Sequence, residues 1–188
     1  MPWYHTITTS ELMQCDLLPD LSIPVPVGTP ADLAGSDHPT IDIISGDFIV
    51  LSQSCDLVQG KTDWVTVAQY ERWDVVSAGM GTSKRRGLQK QVRRGSVPHW
   101  ALLNQHEDLL SWSIVDFRRL FTLPRGYLEA HAASIGQRLR MDAPYREDLA
   151  QAFARYFMRV ALPDDPVEFD EWDPPQTGDA GATPAEGN

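Results

Sequence analysis

The densest run of reactive side chains is Ser52, Gln53, Ser54, Cys55 and Asp56, directly after the apolar stretch Phe48–Leu51. A cysteine there becomes a nucleophile if a neighbouring base draws off its proton. His99, His106 and His131 are the candidate bases, although none is close to Cys55 in sequence. Ser52, Ser54 and Asp56 are also the short polar residues that turns use to bond neighbouring backbone groups. Free cysteine is among the most buried residue types. The favoured reading is therefore a strand feeding a polar turn, with Cys55 as a buried thiol. A cysteine-dependent hydrolase using Cys55 is the catalytic alternative.

Other chemistry has less support. The five histidines, His5, His38, His99, His106 and His131, show no helical ligand spacing, and Cys15 and Cys55 form no ligand pair. No metal site and no cofactor is expected. Neither a lysine-bearing phosphate loop nor a Gly-x-Ser-x-Gly elbow is present.

Charge is distributed unevenly along the chain. Lys84, Arg85, Arg86, Lys90, Arg93 and Arg94 fall within Ser83–Pro98, which holds no acid. Such a cluster can neutralise phosphates or an acidic protein surface. No aromatic residue lies within it to stack on bases, though Trp100 is near. The opposite charge gathers after Pro163: eight of the 26 acids lie there with no Lys or Arg, so most of the net charge of −10 belongs to this segment. Phe169 and Trp172 are interleaved with the acids, the pattern of a short motif that docks on a partner or on the basic segment. Residues 174–188 are too poor in apolar residues to fold and are expected to be disordered.

These segments need a scaffold. Thr40–Ile44, Asp47–Ser52 and Trp64–Tyr70 read as strands, with a Gly-containing turn at Gln59–Thr62. Trp112–Phe117 continues into Leu120–Leu123 with a bend at Arg118-Arg119, and Trp100–Leu103 is its candidate hairpin partner. Asp116 and Arg118 on that strand would pair on an exposed face. A short helix is expected over Gly126–Ser134. The clearest element is a helix over about 145–161, where Tyr145, Leu149, Phe153, Tyr156, Phe157 and Val160 form one apolar stripe that docks on the core. Pro144 opens it and Pro163 stops it. Residues 1–39, with five prolines after position 2, are expected to be a wrapping arm without long regular structure. Residues 40–162 form the core domain and 163–188 an acidic tail.

Two stretches carry a resemblance. Gly46–Leu57 (the Gly-Asp-Phe-Ile-Val-Leu-Ser-Gln-Ser-Cys-Asp-Leu run) and Pro144–Val160, followed by Leu162-Pro163, resemble a family of uncharacterised bacterial proteins over about 46–163. That resemblance implies no activity. More loosely, the succession Phe48–Gln53, Val65–Tyr70, Ser113–Leu123 and then helix resembles the barrel of the PemK/MazF toxins, which cut RNA. That resemblance implies an RNA- or nucleotide-directed enzyme. The early loop that carries an arginine in those toxins is replaced here by the Pro-rich stretch 24–39, so no catalytic residue transfers.

The sequence thus predicts an α+β protein with a small antiparallel sheet or an SH3/PemK-like barrel, a C-terminal amphipathic helix and an acidic tail. No transmembrane stretch and no secretory signal pattern is seen. With only two cysteines, a reducing cytoplasmic setting is expected. The leading functional expectation is an accessory or interaction protein. It would bind protein partners through Lys84, Arg85, Arg86, Lys90, Arg93 and Arg94 and through Phe169 and Trp172. RNA or nucleotide binding is the second expectation.

Overall fold

The computed structural model describes residues 2–35 and 38–158. Its elements run β1 (Tyr4–Ile7), β2 (Leu17–Pro26), α1 (Pro30–Ala34), β3 (Ile41–Val50), α2 (Ser54–Val58), β4 (Trp64–Arg72), α3 (Trp73–Val76), α4 (Thr82–Arg93), β5 (Trp100–Leu103), β6 (Ser113–Pro124), α5 (Arg125–Ile135), β7 (Arg138–Met141) and α6 (Tyr145–Phe157). The main sheet is antiparallel in the order β2-β3-β4-β6-β5, and β1 pairs with β7 in a second, two-stranded sheet. The protein is α+β.

Of the two expected forms the antiparallel sheet is the one found: it is open, with β2 and β5 as its two edges, and is not closed into a barrel. Pro24 and Pro26 in β2 lack the N–H that a further strand would need, so β2 suits an edge. The expected arm is corrected. Residues 17–26 are a ten-residue strand of the main sheet rather than irregular wrapping. A register shift between Leu18 and Leu21 absorbs Pro19 and Asp20, and the latter has a left-handed φ of 52°. Prolines tolerated at an edge and at a bulge do not break a strand there. Leu12, Leu17 and Leu18 are buried in the core.

Thr40–Ile44 and Asp47–Ser52 are not separate strands. They merge in β3, because β2 stays paired across Ser22↔Ser45 and Leu21↔Gly46. At Gly46 a Cβ would lie 2.7 Å from Nε2 of Gln69, so only glycine lets that β4 side chain lie against the strand. The β3 run Phe48–Val50 is apolar without alternation because both faces of the sheet are covered. Ile49 packs with Ala68, Val115, Phe117 and Leu149 under α6, while Phe48 and Val50 pack with Val65, Val67, Leu128 and Ala132 under α5. Each such fully buried large side chain contributes roughly 1.5–3 kcal/mol.

The bend at Arg118-Arg119 is a register shift in which β4 passes from Ala68↔Leu120 to Tyr70↔Val115, and β5 is the hairpin partner of β6. Asp116 and Arg118 form the expected ion pair, with Nε to Oδ1 at 2.9 Å. The α6 stripe docks on the core through Leu149, Tyr145, Phe153 and Tyr156, with Phe117 and Phe153 ring centroids 5.4 Å apart; the expected place of Phe157 in that stripe is corrected, since it is 55% exposed at the helix end. The helix past Met158, the stop at Pro163 and the acidic tail lie outside the described residues. No helix among the described residues is long and apolar enough to cross a membrane.

Candidate binding groove

The polar run after β3 turns out to be a structural joint. Ser52 Oγ accepts the Thr66 N–H at 2.9 Å, which ties the end of β3 to β4. Ser54 Oγ accepts the Gln14 N–H at 3.1 Å. Cys55 and Asp56 lie in the first turn of α2. The expectation of a buried Cys55 is corrected: its side chain is exposed, because α2 is a short surface helix that buries only Leu57. Its Sγ meets Gln53 Oε1 at 3.5 Å and Asp56 Oδ1 at 3.7 Å. The structure brings no histidine into this cluster. His131 lies on α5 against the Pro19 carbonyl, His99 packs edge-on to Trp100, and His106 sits in the β5–β6 connection. The buried thiol is Cys15 instead. Burial is the main cause that pushes it up to about 12, so it stays protonated and inert.

A second charged cluster escaped sequence reading. Asp16 is fully buried and receives two arginines from β7: Arg138 through Nη2 at 2.9 Å and Arg140 through Nη2 at 2.9 Å. Arg138 is also buried and donates to the Thr9 and Glu11 carbonyls. The Asp16 carboxylate accepts the Met13 N–H as well. Every polar partner in this set belongs to the loop 9–16 or to β7, so the cluster clamps the loop to the small sheet. Arg-Leu-Arg in a four-residue strand carries no local sign that its arginines point inward, and their carboxylate lies more than 120 residues upstream.

The six cations of the basic segment behave differently. Lys84, Arg85, Arg86, Lys90 and Arg93 lie on α4 and Arg94 caps it; all six are exposed, and none forms an ion pair among the described residues. Lys84 and Arg85 stand in the first turns, where the positive end of the helix dipole disfavours them. The helix is held instead by Leu88 and Val92, one turn apart, which pack against Trp73, Ile114, Trp100 and Leu102.

Beside this helix lies a groove. One cavity of about 1100 Å³ is lined by Arg86, Lys90, Arg93 and Arg94 from α4 and its cap and by Trp3, Trp73 and Trp112. A second cavity of about 680 Å³ shares Trp3, Val92, Arg93, Arg94 and Leu102 with it, and extends the groove along α6 to Arg155. The tryptophans arrive from separate elements. Trp3 precedes β1 and stacks on Tyr145 of α6 with centroids 4.0 Å apart and planes 10° from parallel. Trp73 opens α3 and donates its backbone N–H to the Trp112 carbonyl at 2.7 Å, which fixes these two residues together. Trp112 remains 42% exposed, whereas Trp73 is 8% exposed and its indole N–H is buried without a hydrogen-bond partner among the described residues. Trp100 gives its indole N–H to Asp116 at 3.2 Å. Burial would raise the Asp116 carboxyl, but the Arg118 and Trp100 hydrogen bonds outweigh it and hold the group below its usual value.

The structure therefore joins the basic segment to aromatic residues that are distant in sequence. Phe169 and Trp172, the other expected binding residues, lie outside the described residues. Trp100 is the groove tryptophan nearest the basic segment in sequence, whereas Trp3, Trp73 and Trp112 carry no local sign that links them to it. Among the described residues no group of three or more His, Cys, Asp or Glu is gathered to hold a metal.

The fold and site define an α+β protein with a basic, tryptophan-lined groove. Comparison with protein-family models, curated proteins and solved structures finds no match to this chain.

Proposed function

We propose that this is an interaction module whose groove captures an acidic, aromatic-bearing segment of a protein partner inside a bacterial cell. The observation that supports it is the pairing of uncommitted cations on α4 with an apolar, tryptophan-lined floor. The cations steer and orient an acidic chain, and the floor accepts its large apolar side chains. The groove suits a peptide better than single-stranded RNA. Stacking of successive bases needs open aromatic faces. Here Trp73 is almost wholly buried, Trp3 has a face against Tyr145, and Trp112 alone of the three is widely exposed. The RNA-cutting reading also loses the closed barrel on which it rested.

The test is a fluorescence-anisotropy titration with two probes. One is a short labelled peptide of aspartates and glutamates around one Phe and one Trp. The other is a single-stranded RNA of matching length and charge. Salt-sensitive peptide binding that weakens at least tenfold in Arg86→Glu/Arg93→Glu supports the proposal. RNA binding tighter than peptide binding, lost in the same variant, would transfer the groove to nucleic acid.

A further inference from the structure

The groove has a candidate occupant in the chain itself. Thirty residues follow Met158, and Asp164, Asp165, Glu168, Asp170, Glu171 and Asp173 surround Phe169 and Trp172 among them. We infer that the segment Asp164–Asp173 of the same molecule docks in the groove and competes there with the external partner. The inference rests on the proposed peptide-binding role and names the groove's resident ligand.

Three observations converge on it. The first is charge. Six acids with no Lys or Arg among them complement the four α4-side cations that line the groove, Arg86, Lys90, Arg93 and Arg94, none of which forms an ion pair among the described residues. The second is place: the segment leaves from the end of α6, whose Ala152 and Arg155 line the groove's far end. The eleven residues from Met158 to Phe169 reach at most about 36 Å when extended, so length does not prevent docking. The third is chemistry. The groove offers the surface of Trp3, Trp73 and Trp112, which suits large aromatic side chains. A segment tethered this closely competes at an effective concentration on the order of 1 mM. If its intrinsic Kd is about 100 μM, it weakens an external ligand by about tenfold.

The chain contains only three lysines, Lys61, Lys84 and Lys90, which makes zero-length carbodiimide coupling an unusually clear test. The full chain is coupled at low salt, its monomer is isolated, and lysine-to-carboxylate links are mapped by mass spectrometry. The expected result is links from Lys90, which lines the groove, to the carboxylates of 164–173. These should exceed links from Lys61, in the α2–β4 turn, at least tenfold and fall when salt is raised. Equal linkage to all three lysines, or none, would overturn the inference. Linkage confined to the dimer fraction would overturn it in favour of a second copy as the occupant.

A binding measurement separates the inference from the function on which it rests. Full-length Phe169→Ala/Trp172→Ala should bind the acidic peptide probe several-fold more tightly than the wild-type chain. Unchanged affinity, with the probe still bound by both, would sink the inference and leave the groove's peptide-binding role standing. No binding by either protein would remove both.

Discussion

Two arginine clusters of this protein use the same chemistry to opposite ends. Arg138 and Arg140 converge on the buried Asp16, and Arg138 spends its remaining donors on the Thr9 and Glu11 carbonyls. On α4, six cations of similar local density stand exposed without an ion pair among the described residues. The first cluster is consumed by the fold: it fixes the loop 9–16 to β7 and presents nothing to a ligand. The second contributes little to the fold, and its first turns oppose the helix dipole. What distinguishes a site from a clamp is thus the number of donors still uncommitted. A count of arginines does not reveal it.

The largest effect that would break this contrast concerns the clamp. Asp16→Ala leaves Arg138 buried without its carboxylate, a loss expected to cost about 3–5 kcal/mol. Urea denaturation of the variant should show the midpoint shift. Below its unfolding transition the variant should still bind the acidic peptide probe. A smaller effect is expected on α4. Arg86→Glu/Arg93→Glu should change stability by no more than about 0.5 kcal/mol, since both side chains are exposed and neither is in an ion pair. The same pair should cost at least about 1.4 kcal/mol in probe binding, the equivalent of tenfold. A large stability loss in this variant would show that α4 is a second clamp.

Local pattern made much of the fold legible. The α6 stripe, the β5–β6 hairpin and the bend at Arg118-Arg119 follow from residues close to one another in sequence. Partners far away made the rest illegible. Loop 9–16 finds its clamp only through Arg138 and Arg140, and β1 finds β7 only across Tyr4↔Met141. The prolines of β2 argued against a strand because edge position cannot be read locally. The groove was half visible. Its cations form one contiguous run, but the tryptophans that line it with them come from positions 3, 73 and 112, and no periodicity links these.

Asp16 and Asp47 differ in the charges around them. Asp16 has two arginines; Asp47 accepts the Asp20 N–H at 3.0 Å but otherwise faces acids. Burial, then the Asp20 and Glu71 charges, raise the Asp47 carboxyl above its ordinary value. An acid whose folded pKa is raised favours the folded state while protonated. The penalty is therefore absent below the unfolded value and grows as pH rises through the folded one. Asp47→Asn keeps an oxygen for the Asp20 N–H and removes the penalty. Its melting temperature should exceed that of the wild-type chain at pH 7, by an amount equivalent to a few tenths of a kcal/mol, and the two should converge near pH 3. A gain that persists at pH 3 would mean that the charge was not the cause.

The smallest effect belongs to the residue that first invites a catalytic reading. Cys15 is fully buried, in a left-handed conformation with φ 65°, held through its N–H on the Val50 carbonyl and its own carbonyl on the Met141 N–H. Cys55 is exposed on α2 with only Gln53 and Asp56 against its sulfur. Iodoacetamide at pH 8 should therefore add one label to the native chain, at Cys55, and two in urea. Cys55→Ser should shift stability by less than about 0.5 kcal/mol, as expected of an exposed position. Alkylation of Cys55 should also leave probe binding unchanged, because no residue of α2 lines the groove. Loss of binding on alkylation would bring α2 back into the site and restore the run Ser52–Asp56 as part of the functional surface.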